Sequence, residues 1–168
     1  MRRIRLGMVG GGKGSFIGAV HRIAARIDDR FELVAGSLSS DAIRAAESAA
    51  EIGIDPDRSY ATFTDMATKE AARADGIEAV AIVTPNHMHA APAIAFLEAG
   101  IHVICDKPLA ATMAQAEALQ AAVTASTAHF FLTHNYTGYP LIRQAREMVA
   151  NGALGSLRVV QLEYAQDW

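Results

Sequence analysis

Cysteine, proline and long apolar segments are scarce in this sequence. The 168 residues include one cysteine and 5 prolines. Since Cys105 has no second thiol in the chain, an internal disulfide is excluded. The sequence shows no charged-then-apolar leader and no apolar run long enough to span a bilayer. These absences predict a cytoplasmic protein with no membrane partner.

The sequence also lacks a large excess of positive or negative charge, and this argues against a nucleic-acid partner. Lys and Arg number 15 against 18 Asp and Glu, for a formal net charge of −3, and no basic block occurs. Nucleic-acid binding therefore has little electrostatic support. The hydrophobic content of 51% allows a sizeable core, which at this length buries about 70% of the unfolded surface. We expect a globular protein that handles a metabolite.

The most informative segment is rich in glycine and lies between a strand pattern, Ile4 to Val9, and a helix pattern that opens at Ser15. The apolar face of this helix consists of Ile17, Val20, Ile23, Ala24 and Ile27. The loop itself contains Gly10, Gly12, Lys13, Gly14, Ser15 and Phe16, followed by Gly18. Glycines there let the backbone approach a pyrophosphate, whose charge the helix N-terminus holds. The alternative is an ordinary flexible loop, because the spacing to Gly18 fits a dinucleotide-binding fingerprint only if the turn is enlarged.

Apolar runs and helical patterns alternate along the rest of the chain. Further strands are predicted at residues 31–36, 60–63, 79–83, 101–105 and 130–133. Helices are predicted at residues 41–52, 65–74, 87–99, 112–124 and 141–150. Such alternation is typical of a parallel sheet covered by helices on both faces. The predicted fold class is therefore α/β, with a doubly wound parallel sheet.

Polar residues directly follow several of the predicted strands. In an open parallel sheet, ligands bind outside the carboxyl ends of the strands, so these residues are candidates for one site. Besides the glycine loop they are Ser37, Ser39 and Ser40; Thr84, Pro85 and Asn86; Asp106, Lys107 and Pro108; and His134, Asn135 and Tyr136. The alternative is that they are polar only because turns are generally polar.

Five short motifs occur in order along the chain. They are the glycine loop with Gly18-x-x-His21, Thr84-Pro85-Asn86-x-x-His89, Asp106-Lys107-Pro108, Asn135-Tyr136 and Gly152-Ala153-Leu154-Gly155. Their order and spacing resemble the Gfo/Idh/MocA oxidoreductases, which include glucose-fructose oxidoreductase and inositol dehydrogenases. The resemblance implies a Rossmann-type domain and an enzyme that transfers hydride between a nicotinamide and a hydroxyl-bearing carbon of a sugar, cyclitol or related polyol. The alternative is a non-catalytic dinucleotide-binding or sensing module.

The same resemblance implies roles for individual residues. Lys107 matches the catalytic lysine of the family's Glu-Lys-Pro motif, although the acid here is Asp106. A lysine beside the nicotinamide can hydrogen-bond the reacting hydroxyl and stabilise alkoxide charge. The alternative is a solvated lysine at a helix entrance. The predicted cofactor-binding residues are Gly10, Gly12, Lys13, Gly14, Ser15, Phe16, Ser37, Ser39, Ser40, Thr84, Pro85, Asn86, His89, Asp106, Lys107, Pro108 and Asn135.

The end of the second predicted strand bears on the choice between NAD and NADP. A carboxylate there usually binds the ribose hydroxyls and repels a 2′-phosphate, but this chain has Ser37. Ser39, Ser40 and Arg44 can receive a phosphate, and the serines can equally bind a free ribose or cap the next helix. The cofactor is therefore predicted as NAD or NADP.

The other histidines and the cysteine are assigned to packing. His21 and His102 have no ligand partner at metal spacing, and His87 and His89 are two residues apart, which on a helix separates their directions. No metal site is predicted. Cys105 is interpreted as a core residue rather than a nucleophile, although the lysine two residues later can lower the pKa of its thiol.

The last predicted element differs from the others. Residues 157–166 alternate between apolar and polar side chains, unlike the continuous apolar strands before them. We interpret this segment as the first strand of a second, truncated α+β domain, with boundaries at 1–155 and 156–168. The resemblance implies that this domain carries much of the sugar pocket, so we expect no turnover by the 168-residue chain alone. An unpaired strand also favours pairing with another chain, which predicts a homo-oligomer.

Overall fold

The computed structural model describes residues 2–166, so Met1, Asp167 and Trp168 lie outside the described part. The chain divides into two compact units, one ending at Thr133 and the other beginning at His134. The first unit contains a sheet and its helices, and the second contains one further helix. The predicted second domain from 156 onward is a different division, and it stays a prediction.

A parallel five-stranded sheet forms the centre of the first unit. Its strands are β1 (Ile4–Gly10), β2 (Phe31–Ser37), β3 (Ala79–Val83), β4 (His102–Cys105) and β5 (Phe130–Leu132). They pair in the order β2-β1-β3-β4-β5, so the strand order reverses between β1 and β3. Every residue of β3 is buried, which explains its unbroken apolar run. The predicted Rossmann-type α/β sheet is confirmed.

Helices cover both faces of this sheet. They are α1 (Phe16–Ile27), α2 (Ala42–Ile52), α3 (Phe63–Ala72), α4 (Ala90–Glu98) and α5 (Met113–Ala125). Alternate residues of β3 enter two different cores, because side chains of a strand point to opposite faces. Ala81 packs with Ala49 of α2, whereas Ile82 packs with Phe96 of α4 and Leu119 of α5. The sheet is therefore doubly wound, as predicted.

The predicted strand at 60–63 does not form. Only Ser59 makes an isolated parallel bridge to Gly36, and the Tyr60 amide donates to the Gly36 carbonyl at 2.8 Å. The Thr62 hydroxyl caps α3 by accepting from the Asp65 amide at 3.1 Å. Because the helix cap uses the residues that the strand needed, one bridge replaces the strand at this edge of the sheet.

The apolar face predicted for α1 faces solvent over most of its length. Val20, Ile23 and Ile27 are 40%, 58% and 74% exposed. The helix instead turns Gly18 inward, where an added Cβ would lie 2.4 Å from the Gly11 Cα. Close contact with the glycine loop, rather than burial of the largest side chains, therefore sets the rotation of this helix.

A buried charge network fixes the segment between α2 and α3. The Glu70 carboxylate is 1% exposed and accepts hydrogen bonds from Arg58, from the Tyr60 hydroxyl at 2.7 Å and from the Ile77 amide at 3.0 Å. The guanidinium donates two of these bonds, the one from Nε at 3.0 Å. Burial and the bond to Glu70 raise the pKa of Tyr60 to about 12, so its hydroxyl stays a donor.

The second unit contains α6 (Pro140–Ala150), preceded by a short 3₁₀ turn over Asn135–Gly138. The segment 157–166 was predicted as a strand, but no backbone ladder forms there within residues 2–166. Its apolar side chains are exposed, Leu162 to 91%. A strand requires a hydrogen-bonded neighbour, so its membership of another sheet stays a prediction. Within the described range, no helix combines the length and apolar content that a membrane crossing requires.

Candidate functional site

The glycine loop joins the carboxyl end of β1 to the start of α1. Gly10, Gly11 and Gly14 have φ values of +77°, +75° and +82°, which disfavour residues with a Cβ. The fingerprint G-x-G-x-x-G starting at Gly10 places its third glycine at about position 15. Gly18 takes over that packing role instead, through its close contact with Gly11. The turn is therefore enlarged, as the spacing required.

The start of α1 offers backbone donors to an anion. The Ser15 hydroxyl caps the helix by accepting from the Gly18 amide at 3.4 Å. The amides of Phe16 and Ile17 precede the first carbonyls that they could bond within the helix, so helix geometry leaves them as free donors. Glycine backbone, free amides and the positive end of the helix dipole together fit a diphosphate.

Hydrogen bonds to neighbouring residues hold the glycine loop in place. The Lys13 amide donates to the Ser48 hydroxyl at 2.9 Å, and the Arg22 guanidinium donates to the Gly11 carbonyl at 2.8 Å. A cavity of about 220 Å³ beside the loop is lined by these residues together with Ser15 and Glu51. The sequence reasoning missed Ser48 and Arg22. A serine within an alanine-rich helix is the only signal that marked the first of them.

The serines after β2 divide between two roles. Ser37 is buried, whereas the Ser39 hydroxyl accepts from the Asp41 amide at 3.1 Å. The Asp41 carboxylate in turn accepts from the Arg44 amide at 2.8 Å and caps α2. Ser39 and Asp41 therefore organise the start of this helix, and the Arg44 side chain is exposed.

His89 links two of the predicted polar segments. It lies directly before α4 and is 0% exposed. Its Nδ1 is 2.7 Å from the Pro108 carbonyl oxygen, and its Nε2 is 2.9 Å from the Thr84 carbonyl oxygen. Both ring nitrogens are thus occupied by backbone carbonyls, one on the turn after β3 and one on the turn after β4.

The turn after β4 presents Lys107 to solvent beside a fixed carboxylate. Asp106 Oδ1 accepts from the Thr133 hydroxyl at 2.7 Å and lies 3.7 Å from His21 Nε2. The peptide between Lys107 and Pro108 is cis. Among residues 2–166, no carboxylate forms a salt bridge with Lys107. The packing role predicted for His21 is therefore incomplete, because this histidine also faces the charge next to Lys107.

Two further residues behave as core elements. Burial and the neighbouring Asp106 charge raise the pKa of Cys105 to about 12, so the proximity of Lys107 does not lower it. His102, at the opposite end of β4, accepts from the His129 amide through Nδ1 at 2.9 Å. Across the described residues, no group of three or more His, Cys, Asp or Glu side chains is placed to hold a metal ion.

Parallel pairing brings most of the predicted residues to one edge of the sheet. In the register, Gly10 pairs with Val83 and Ile82 pairs with Cys105, so the glycine loop, the Thr84 turn and the Lys107 turn leave the sheet side by side. An added Cβ on Gly10 would lie 2.9 Å from the Thr84 Cγ2. Asn135 belongs to the second unit, and its role stays a prediction.

Comparisons with known proteins agree with this geometry. A family model described as "Oxidoreductase family, NAD-binding Rossmann fold" matches residues 4–134. An uncharacterized oxidoreductase of Bacillus subtilis, YfiI, is 40% identical over 96% of this chain and 41% of its own length. The levoglucosan dehydrogenase of Pseudarthrobacter phenanthrenivorans is 32% identical over 100% of this chain and 42% of its own length.

Solved structures show the same relationship. An oxidoreductase from Sinorhizobium meliloti is 61% identical, with a TM-score of 0.90 over 94% of this chain and 44% of that one. An inositol dehydrogenase homolog from Azotobacter vinelandii complexed with NAD⁺ is 45% identical, with a TM-score of 0.87 over 94% of this chain and 40% of that one. The chain thus spans about two fifths of the length of these proteins. With its NAD-binding Rossmann fold and the family match over residues 4–134, the chain belongs to the Gfo/Idh/MocA family of oxidoreductases.

Proposed function

We propose that this chain binds NAD or NADP at the carboxyl edge of its sheet and supplies the nicotinamide side of a dehydrogenase site. The observation that carries the proposal is the adjacency of the glycine loop and the Lys107 turn, which leave β1 and β4 on either side of β3. An anion-binding helix start and an exposed lysine on neighbouring turns suit a dinucleotide at one end and a reacting hydroxyl at the other.

The glycine loop would hold the diphosphate through the amides of Phe16 and Ile17. Ser37 and Ser40 would contact the adenosine ribose, and Lys13 would lie over the diphosphate from the loop. Thr84, Pro85, Asn86, Asp106 and Pro108 would line the path of the nicotinamide. Asn135, in the second unit, stays a predicted cofactor-binding residue. When bound, the dinucleotide would supply hydride acceptance or donation.

Lys107 is the proposed catalytic residue. As the neutral amine, its Nζ would accept the proton of the substrate hydroxyl during oxidation, and as the ammonium it would return that proton during reduction. Its positive charge would also stabilise the developing alkoxide. Asp106, the residue before Lys107, is held in place by the Thr133 hydroxyl, which donates to its carboxylate.

The structure favours neither NAD nor NADP. Ser39 is engaged in the cap before α2, and the Lys13 ammonium lies 3.7 Å from the Glu47 carboxylate. The exposed Arg44 of α2 is a cation that would be able to meet a 2′-phosphate. A comparison of NADH and NADPH affinities for the wild type and for Arg44→Ala separates the two cofactors, because only a 2′-phosphate contact depends on this charge.

Because the chain spans about two fifths of the length of its relatives, the substrate class and the full activity are proposals. We propose that a full-length protein acts on a sugar, cyclitol or related polyol in the cytoplasm, and that its further domain completes the substrate pocket. The segment 157–166 would then begin the sheet of that domain and offer an edge to a second copy of the protein.

Lys107→Ala tests the proposal in two steps. The 168-residue chain should bind NADH or NADPH, measured by nicotinamide fluorescence, and the substitution should change that affinity little. In the full-length protein it should abolish turnover of polyols, whereas Lys69→Ala, which removes an exposed lysine on α3, should not. Binding with no turnover by the full-length wild type would support the alternative of a non-catalytic module. Absence of dinucleotide binding by both lengths would refute the proposal.

A further inference from the structure

The turn that carries Lys107 has more hydrogen bonds before the lysine than directly after it. Before the lysine, the Asp106 amide donates to the Ile82 carbonyl at 2.9 Å, and the Asp106 carboxylate accepts from Thr133 at 2.7 Å. After it, Pro108 has no amide hydrogen to donate. In the described part of the chain, the next backbone bond along this turn is the one from the Ala111 amide to the Gln115 side chain at 3.0 Å.

His89 provides the missing bond on that second side. Its ring reaches the Pro108 carbonyl across 19 residues of sequence and the Thr84 carbonyl across 5. The ring itself is fully buried. The imidazole therefore acts as a cross-link between the turn after β3 and the turn after β4.

The donor inventory of the ring shows how the cross-link works. Both carbonyl oxygens only accept hydrogen bonds, whereas a neutral imidazole has one donor nitrogen and one acceptor nitrogen. A singly protonated ring therefore donates to one turn only, and a doubly protonated ring donates to both. In either form, loss of the ring removes the contact that joins the Thr84 and Pro108 carbonyls.

We propose that His89 is a positioning residue that holds the Lys107 turn against the Thr84 turn, and thereby sets where the Lys107 ammonium stands relative to the nicotinamide. The inference rests on the proposed function for its catalytic meaning, but the cross-link itself does not. His89 contacts neither substrate nor cofactor in this scheme, because both of its nitrogens are used by the backbone. It acts through Lys107.

The first test measures the turns without any ligand. Hydrogen exchange of residues 84–88 and 106–111 in the 168-residue chain should rise in His89→Phe, which keeps a ring but removes both ring nitrogens, while exchange in β1 and β3 stays slow. His89→Gln supplies an amide NH₂ group that can donate to a carbonyl, and it should restore part of the protection. The matched control is His102→Asn, which removes another backbone-bonded imidazole at the far end of β4 and should leave both turns unchanged.

The second test measures catalysis by the full-length protein. His89→Phe should lower kcat on the order of 10- to 100-fold, as expected for a displaced catalytic group, and change the Kd for dinucleotide much less. The kcat of His89→Gln should lie between those of His89→Phe and the wild type, and the kcat of His102→Asn should match the wild type. Where His89→Phe fails to fold, His89→Gln and its split between kcat and Kd decide the outcome.

The two sets of results separate the inference from the proposed function. Unchanged hydrogen exchange at both turns overturns the role of His89, even in an active enzyme. So does a loss of dinucleotide affinity as large, in fold-change, as the loss of kcat. Faster exchange in His89→Phe together with a full-length wild type that transfers no hydride supports the cross-link and overturns the enzyme proposal instead.

Discussion

Replacing Gly18 by alanine should damage dinucleotide binding more than it damages folding. The new Cβ would lie 2.4 Å from the Gly11 Cα and 2.7 Å from the Gly11 carbonyl oxygen. Carbon atoms in contact prefer a separation of about 3.5–4.0 Å, so α1 and the loop must move apart by about 1 Å. Such overpacking costs about 1–3 kcal/mol, partly offset by about 1 kcal/mol of better helix propensity.

The same displacement acts directly on the proposed anion site. Moving the α1 amides by about 1 Å lengthens a hydrogen bond of about 2.9 Å beyond its useful range. A hydrogen bond to a charged group contributes about 1.5–3 kcal/mol, so the Kd for NADH should rise by about 10- to 100-fold. Titration of nicotinamide fluorescence measures the Kd, and urea unfolding measures the stability.

Gly7→Ala is the matched control for this substitution. Its Cβ would lie 2.4 Å from the Met66 Cε and 2.7 Å from the Ile77 Cδ1, which are the ends of flexible side chains away from the loop. This variant should lose stability while keeping the affinity for NADH. Wild-type affinity in Gly18→Ala, or equal losses of affinity in the two variants, would show that the contact between Gly18 and Gly11 does not position the α1 amides for binding.

Two further predictions concern stability. Glu70→Gln should lower the free energy of unfolding by about 3–5 kcal/mol, because it removes the buried counter-charge of the Arg58 guanidinium. Asp75→Asn, at an exposed partner of the same arginine, should cost much less, because solvent screens that pair. Urea unfolding of the two variants compares them, and equal small losses would contradict the network. The bonds from Arg2 and the Arg5 amide lower the pKa of Glu78 from 4.5 to about 2. Since the folded value is the lower one, this carboxylate stabilises the fold above about pH 4.5, and its contribution is lost as the pH falls toward 2. Glu78→Gln should therefore flatten part of the loss of stability over that pH window, and an unchanged profile would show that the ion pair contributes nothing measurable.

The sequence predicted those parts of the fold that depend on local patterns. The unbroken apolar run of β3 is readable because every residue of a buried central strand is apolar, and the cap at Ser15 because its partner Gly18 lies three residues away. The strand at 60–63 failed for a local reason as well, since the cap at Thr62 competes with it.

The tertiary contacts that hold the site residues in place could not be predicted from local sequence patterns. His21 meets Asp106 and His89 meets Pro108 only after parallel pairing has brought their elements together. The outward rotation of α1 likewise depends on the contact between Gly18 and Gly11, which no periodicity encodes. Residue types in the motifs therefore predicted where a ligand would lie, whereas the side chains that hold those motifs required the tertiary structure.

The pairing of β1 with β3 has a consequence for how binding competence is acquired. Gly7 lies opposite Val80, although three helices, α1, α2 and α3, and strand β2 separate them along the chain. Such non-local contacts form slowly, because the chain loses loop-closure entropy before the contacts stabilise it. The glycine loop and the Lys107 turn therefore come together only when β3 has paired with both β1 and β4. Nicotinamide fluorescence during refolding would report when both pairings have formed.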